Sequence, residues 1–287
     1  PVFVDIDAAT YNMDPASLRA EIETIVAGGK LKPKAVIAVD LFGQPANYPE
    51  IKAICDEFGL KLIADTAQGF GCTLHGKHPS DWADIATTSF FPAKPLGCYG
   101  DGGAIVTNDA KLAELIESLR VYGKVTPSDA ATRNFHHDPK YLSLRVGMNS
   151  RLDTIQAAIL LEKLKIFADE IDRRQVVADR YARGLRGGVK GVPGVIDGGR
   201  SVWAQYVIEH DNRDGLQAHL TANGIPSMVY YPVPIHQQDF ALSYAPAKGH
   251  LKVTEAASQH VLALPMHPYL GEADQDRIID TVLGFNG

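Results

Sequence analysis

The sequence predicts an α/β protein, with a large mixed but mostly parallel sheet domain followed by a small C-terminal α+β domain. Short, almost wholly apolar strands alternate with amphipathic helices over the first 120 residues, a pattern typical of a parallel sheet covered by helices on both faces. At 287 residues the chain exceeds the usual size of a single core. Beyond residue 123 the alternation stops. We therefore expect a large domain over 1–150, a long connecting helix over 151–190 and a small domain over 191–287.

The elements of the large domain follow one another closely. A strand is predicted for "PVFVDI", and a helix for "NMDPASLRAEIETIVAGG", where Asp14 is the expected N-cap and Pro15 takes the first helical position. The strand "KAVIAVD" precedes the helix "YPEIKAICDEFG", which Gly59 ends. Three further strands are predicted for "LKLIAD", "DIATTSF" and "GGAIVTN", and a helix for "DAKLAELIESLRVYG".

The second half begins with a polar, loop-like stretch over 124–147. A long helical pattern then runs through "TIQAAILLEKLKIFADEIDRRQVVADRYARGL" until glycines interrupt it. Strands are predicted for "WAQYVIEH" and "IPSMVYY", on either side of the helix "RDGLQAHLTANG". The helix "EADQDRIIDTVLGF" is the last predicted element.

Composition excludes several classes of protein. The formal charge of −6 and the pI near 5.9 argue against nucleic-acid binding, which needs clustered Lys and Arg. No apolar run reaches about 18 residues, so we expect no membrane span. The three cysteines form no CxxC pair, and His136 and His137 lack a third ligand at a suitable spacing. We therefore expect a cytoplasmic protein with reduced thiols and without a metal site.

Polar residues follow two of the predicted strands. Asp65 ends "LKLIAD" and Gln68 comes three residues later, while Ser89 lies in "DIATTSF" and Lys94 follows in "FFPAKPLGCYGDGG". Ligands of open parallel sheets bind outside the carboxyl ends of the strands. Taken singly, each residue has an ordinary interpretation: a turn or cap for the aspartate, a solvated loop for the lysine, and a backbone hydrogen bond for the serine.

Together these residues indicate a more specific chemistry. A lysine held in a stiff Pro- and Gly-rich loop can be desolvated, which makes its amine nucleophilic toward aldehydes. An aspartate at the same sheet edge can keep a pyridine nitrogen protonated. Lys94 and Asp65 are thus the minimum pair for pyridoxal 5'-phosphate (PLP), with Ser89 and nearby backbone amides available for the phosphate.

The segments "IADTAQGFG" and "SFFPAKPLGCYGDGG" resemble the signature segments of the DegT/StrS family of nucleotide-sugar aminotransferases. "VGMNSRLDTIQAAIL" and "YYPVPIH" match further segments of that family, in the same order along the chain. The resemblance implies the fold-type-I architecture of PLP-dependent transferases, with Lys94 as the imine-forming lysine and Asp65 as the partner of the ring nitrogen. It further implies cofactor contacts for Gln68, Ser89 and Asn149, and substrate contacts for Arg151, Tyr231 and His236.

The implied reaction moves an amino group from an amino acid, expected to be glutamate, to a nucleotide-linked ketosugar. The resemblance is strongest to the subgroup acting at C3 of UDP-2-acetamido-2-deoxy-3-oxo-glucuronate, in cell-surface polysaccharide biosynthesis; transfer at C4 of a 4-keto-6-deoxy sugar is the alternative. The role of Asn149 implies a homodimer with shared active sites. Without the resemblance, "NSRLD" also fits a helix N-cap and "YYPVP" an edge strand ending at proline.

The sequence also bears on three other functions. Related sugar dehydratases generally replace the lysine with histidine, so Lys94 argues against that activity. A dinucleotide-binding enzyme needs strand, glycines and then helix, whereas the glycines over 97–103 precede a strand. A non-catalytic assembly or regulatory subunit stays open, because family members carry about eighty residues before "PVFVDID" that help to bind the phosphate and stack on the ring. We therefore expect 1–150 to lack the N-terminal segment of its domain. Tyr230 also stands where relatives often have histidine.

Overall fold

The computed structural model describes residues 1–244, 246 and 249–285. Its helices are α1 Pro15–Gly28, α2 Tyr48–Phe58, α3 Ala110–Leu119, α4 Pro127–Thr132, α5 Thr154–Leu185, α6 Arg213–Ala222, α7 Lys252–His260 and α8 Glu272–Leu283. Its strands are β1 Ala35–Val39, β2 Lys61–Asp65, β3 Thr73–Leu74, β4 Ile85–Ser89, β5 Gly103–Val106, β6 Gly199–Arg200, β7 Tyr206–Glu209 and β8 Val261–Leu264.

The main sheet has the order β1-β2-β4-β5. β1, β2 and β4 are parallel, whereas β5 returns antiparallel to β4 through the loop that carries Lys94. In the register of these strands, Val39 pairs with Asp65 and Asp65 pairs with Thr87. The carboxyl ends of three strands therefore meet at one edge of the sheet, as the sequence predicted.

Helices α1 and α2 cover one face of this sheet. Asp14 caps α1 through the backbone N–H groups of Ala16 and Ser17, and Gly59 ends α2 in the left-handed region at φ 65°. The buried side chains of both helices pack with alternate residues of the strands, and this core contains Leu18, Ile22, Tyr48, Ile51, Leu62 and Ala64. Because side chains alternate along a strand, Asp65 of β2 points away from this core, toward the opposite face of the sheet.

That opposite face is covered less than the sequence predicted. Ile37 of β1 is 58% exposed and Ile105 of β5 is 49% exposed, so helices do not cover both faces within the described residues. α5 runs instead beside the loops after β2 and β4, where its Leu160, Phe167 and Ile171 bury Phe90 and Leu96.

The C-terminal part has its own core. β7 and β8 pair antiparallel, and α5, α6 and α8 pack around them. Tyr181, Tyr206, Leu216, Leu262 and Ile279 are among the buried residues of this cluster. None of the described helices is long and apolar enough to cross a membrane.

Most predicted elements are confirmed, but two strands are wrong. "PVFVDI" and "IPSMVYY" form only isolated bridges, Ile6 with Met13 and Met228 with Ala263. Both segments are apolar, yet in the first of them side chains accept backbone hydrogen bonds: the Asp5 N–H donates to Ser17 Oγ at 3.2 Å and the Ile6 N–H to Asp5 Oδ1 at 2.9 Å. The helix α4 within the expected loop, and α7 and β8 near the C-terminus, were not predicted.

A buried carboxyl group, Asp40, lies directly after β1 and has no exposed surface. Its Oδ1 accepts hydrogen bonds from the Tyr48 hydroxyl at 2.8 Å and the Ala46 N–H at 3.0 Å. The Cys72 thiol lies close by, but the geometry falls short of a hydrogen bond to Oδ2, which has no partner in the described part of the chain. Burial, with a smaller contribution from the charge of Asp65, raises the pKa of Asp40 to about 7 despite the hydrogen bonds.

This raised pKa makes stability depend on pH. Folding favours protonated Asp40, so its contribution is complete below the unfolded pKa of about 4 and is lost as pH rises through about 7. Asp40→Asn keeps the acceptor oxygen but does not titrate. Between pH 5 and 7 we expect the wild-type protein to lose about 2 kcal/mol of unfolding free energy relative to Asp40→Asn.

Chemical denaturation of both proteins over that pH range measures the difference. The exposed Asp197, changed to Asn, is the control and should follow the wild-type curve. Parallel pH curves for wild type and Asp40→Asn would show that Asp40 ionises normally.

Candidate active site

The strand ends place Asp65 and Ser89 on one face of the sheet. Asp65 pairs with Thr87 across β2 and β4, and Ser89 lies two residues beyond Thr87. Residues two apart on a strand point to the same side. The structure therefore brings these two predicted site residues together at the carboxyl edge, where an open α/β sheet binds its ligands.

Each of the two side chains retains hydrogen-bonding capacity. Asp65 Oδ1 accepts the backbone N–H of Ala67 at 3.0 Å, and the hydrogen bonds of the described residues leave Oδ2 open. Ser89 Oγ accepts the N–H of Phe91 at 3.2 Å, so its own hydroxyl hydrogen can be donated to a ligand. The edge thus offers a carboxylate oxygen and a hydroxyl donor on adjacent strands.

The loop after β4 presents Lys94 near this edge. Two bonds close its base, from Phe90 N–H to the Gly102 carbonyl at 2.7 Å and from Cys98 N–H to the Phe90 carbonyl at 2.8 Å. A Cβ on Gly97 would lie 2.6 Å from the carbonyl oxygen of Pro92, so only glycine fits this turn. Lys94 itself is half-buried, and its amine forms no ion pair with the described residues. The loop is thus folded, and the described residues leave the Lys94 amine without a hydrogen bond or ion pair.

Gln68 connects the strand edge to the C-terminal part of the chain. Its Oε1 accepts the N–H of Phe42 at 2.7 Å, which establishes the orientation of the amide. Its Nε2 therefore faces the hydroxyl of Tyr231 at 3.1 Å. The structure brings Gln68 and Tyr231 together, and one amide hydrogen of Gln68 remains for another acceptor.

Asn149 and Arg151 lie elsewhere, before the start of α5. Arg151 Nε donates to Asn149 Oδ1 at 2.9 Å, and its guanidinium lies 5.9 Å from the centre of the Tyr122 ring. Together with the next three residues they line an open cavity of about 460 Å³. Both side chains are exposed, and within the described residues neither contacts Asp65, Ser89 or Lys94.

His236, for which the resemblance implied a substrate contact, lies away from the strand edge in a buried position. Its side chain is buried, its Nε2 lies 3.5 Å from Glu255 Oε1, and its ring centre is 6.2 Å from that of Phe3. These neighbours belong to α7 and to the first residues of the chain. A direct role of His236 in substrate binding therefore stays a prediction.

Sequence reasoning missed Asp40, which lies one strand away from Asp65. The sequence contains the pattern that indicates this residue, because Asp40 follows the apolar run "AVIAV" as Asp65 follows "LKLIA". Its burial was not available from the sequence, since it depends on Tyr48, Gly69 and Cys72 closing around it. A Cβ on Gly69 would lie 2.3 Å from the Cβ of Asp40.

Comparisons with known proteins show which family the chain resembles. Residues 1–283 match the model of the DegT/DnrJ/EryC1/StrS aminotransferase family. The chain is 45% identical over 273 residues to the UDP-2-acetamido-2-deoxy-3-oxo-D-glucuronate aminotransferase of Pseudomonas aeruginosa, covering 95% of this chain and 70% of that protein.

Solved structures show the same likeness. A DegT/DnrJ/EryC1/StrS aminotransferase from Brucella abortus superposes with a TM-score of 0.92 at 48% identity, over 100% of this chain and 74% of the other. A Bacillus subtilis protein described with bound cofactor PMP superposes with a TM-score of 0.81 at 29% identity, over 98% of this chain and 61% of the other. The sheet, the strand-end residues and these likenesses lead to one conclusion: the chain belongs to the DegT/DnrJ/EryC1/StrS aminotransferase family and has its fold-type-I architecture.

Proposed function

We propose that this protein is a PLP-dependent aminotransferase that moves an amino group from an amino acid, expected to be glutamate, to C3 of UDP-2-acetamido-2-deoxy-3-oxo-glucuronate. The observation that carries the proposal is the meeting of Asp65, Ser89 and the Lys94 loop at the carboxyl edge of parallel strands. The 45% identity to an enzyme named for that substrate supports the choice of sugar. In the net reaction the donor amine becomes a keto group and the sugar ketone becomes an amine.

The side chains at the edge fit the proposed cofactor. The open Oδ2 of Asp65 can accept a hydrogen bond from a protonated ring nitrogen, the Ser89 hydroxyl can donate to a phosphate, and the Lys94 amine can bond to an aldehyde. When bound, the cofactor supplies an electron sink for the carbon that loses its proton.

In the proposed reaction each of these protein groups has a separate role. Lys94 Nζ would hold the cofactor and would move the donor's Cα proton as a general base and acid. Asp65 holds the proton on the ring nitrogen. Gln68 orients the Tyr231 hydroxyl through the 3.1 Å hydrogen bond, so Tyr231 is presented toward the edge as a substrate contact.

The exposed segment around Asn149 supports a shared active site in a homodimer. Val146 is 98% exposed, Met148 66% and Ile155 74%, which surrounds the polar pair Asn149 and Arg151 with uncovered apolar side chains. Exposed apolar side chains clustered in this way are typical of protein interfaces. In the proposed dimer Asn149 reaches the cofactor phosphate of the other subunit, and Arg151 faces the anionic sugar.

The first experiment tests Lys94. Wild-type protein mixed with PLP should develop a visible or near-ultraviolet absorption band that Lys94→Ala lacks, and the variant should transaminate at least about 10³-fold more slowly. Lys32→Ala, at an exposed position, is the control and should behave as wild type. Wild-type protein without a band would leave the non-catalytic alternative standing. Assays with 3-oxo- and 4-oxo-sugar nucleotides, each with glutamate, then separate transfer at C3 from transfer at C4.

The second experiment tests Asp65, whose effect on kcat can be separated from cofactor binding. Asp65→Asn should still bind PLP through Lys94, but kcat should fall about 10²-fold or more while KM for the donor changes little, because an amide does not hold the ring proton. Steady-state kinetics measure the two constants, with Asp197→Asn as the control. Unchanged kcat in Asp65→Asn would remove Asp65 from the reaction.

Mixed dimers test the shared site. Lys94→Ala and Asn149→Ala protomers are each impaired alone, but a mixed dimer contains one site with both native residues if Asn149 serves the partner. Random assembly of equal amounts should restore about a quarter of wild-type activity, because half of the dimers are mixed and each has one intact site. If Asn149 acts within its own subunit, mixing restores nothing.

A further inference from the structure

The loop that carries Lys94 is held from outside by two polar side chains of α5. Gln156 Oε1 accepts the backbone N–H of Tyr99 at 2.7 Å. Lys163 Nζ donates to the Gly97 carbonyl at 2.5 Å and lies 4.9 Å from the centre of the Tyr99 ring. Both contacts reach residues that flank Cys98, in the C-terminal half of the loop.

One face of α5 makes these contacts. Gln156, Leu160 and Lys163 are spaced by four and three residues, so they follow one another along the same side of the helix. Leu160, between the two polar residues, is buried with Phe90 and Leu96. The apolar contact therefore fixes the separation of helix and loop, and the polar side chains fix the position of the loop backbone.

The loop itself is shaped to receive these side chains. Gly97 is buried, and its carbonyl would lack a partner without the Lys163 amine; a buried carbonyl without one is costly. A Cβ on Gly100 would lie 3.2 Å from Gln156 Nε2, so glycine allows the amide to approach closely. The loop thus supplies an acceptor for Lys163 and space for the Gln156 amide.

Leu96 and Cys98 are buried in one cluster with residues of α5, whereas residues 91–93 of the loop are exposed. Its base is closed by the bonds of Phe90 to Gly102 and of Cys98 to Phe90. Within the described residues, the hydrogen bond of Lys94 is the one from its own N–H to the Phe91 carbonyl at 2.8 Å, in a local turn. The contacts of α5 with Gly97 and Tyr99, together with the burial of Leu96, therefore hold this turn relative to the sheet edge.

We propose that Gln156 and Lys163 are positioning residues that hold the 90–102 loop so that the Lys94 amine meets the cofactor aldehyde. The proposal rests on the proposed function of Lys94. A misplacement of the reacting groups by about 1 Å can cost about 10²-fold in rate, so two hydrogen bonds to the loop backbone are enough to matter.

The test compares variants that break or keep each contact. Gln156→Leu removes the acceptor, whereas Gln156→Glu keeps it; Lys163→Met removes the donor, whereas Lys163→Arg keeps it. Lys165→Met is the matched control, because Lys165 lies on the exposed side of α5 and pairs with Glu162. Thermal unfolding checks that every variant is folded.

Two measurements separate positioning from a general loss of structure. The first is the rate at which the absorption band of lysine-bound PLP appears, which should fall about tenfold in Gln156→Leu and Lys163→Met and recover in Gln156→Glu and Lys163→Arg. The second is the affinity for pyridoxine phosphate, which lacks the aldehyde and should change less than about twofold in all variants, since the groups that bind it are untouched.

Hydrogen exchange of the cofactor-free protein gives an independent readout. Exchange in a peptide spanning 91–102 should be about 3–10-fold faster in Gln156→Leu than in Gln156→Glu, corresponding to one hydrogen bond. Wild-type band formation rates in both disrupting variants would overturn the proposal, as would a parallel loss of pyridoxine phosphate affinity. If the wild-type protein forms no band at all, the proposed function of Lys94 fails first, and the positioning role fails with it.

Discussion

The parallel pairing of β1, β2 and β4 is the constraint on which the rest of the site depends. Parallel strands end at the same edge, and their register places Val39, Asp65 and Thr87 side by side. The period of two then sends Asp65 and Ser89 to one face, while Leu62 and Ala64 enter the core with α1 and α2. Packing of one face of the sheet against the helices thus orients Asp65 and Ser89 on the other face.

The same arrangement brings a second carboxyl group, that of Asp40, to the edge of the sheet, but this one is buried. Asp40 points into the core, where burial disfavours its charge, and Asp65 points outward, where an oxygen stays open. The two aspartates follow adjacent strands but differ by one step of alternation. A cationic ligand beside the edge would therefore meet the open oxygen of Asp65, while burial raises the pKa of Asp40 to about 7 and keeps its proton in place below that pH.

Local patterns could predict a large part of this structure. Asp14, Pro15 and Gly59 mark helix ends through chemistry that acts over a few residues, and apolar runs mark the central strands. Strand ends and the family resemblance pointed to Asp65, Ser89 and Lys94. The failures have a physical cause as well: "PVFVDI" has the composition of a strand, but its backbone N–H groups donate to side chains, as Asp5 does to Ser17 Oγ, and the sequence does not reveal these partners.

Contacts between segments that are distant in the sequence could not be predicted from local patterns either. Gln68 meets Tyr231 across 163 positions, and Gln156 meets Tyr99 across 57. These separations have a consequence for a chain that emerges from the ribosome in order. The sheet edge can form once β5 has been made, but the lysine loop gains its outer support only after α5 has followed, and Gln68 gains its phenol partner later still. Competence to hold a ligand at this edge is thus acquired in stages, well after the residues that give the edge its shape have been synthesised.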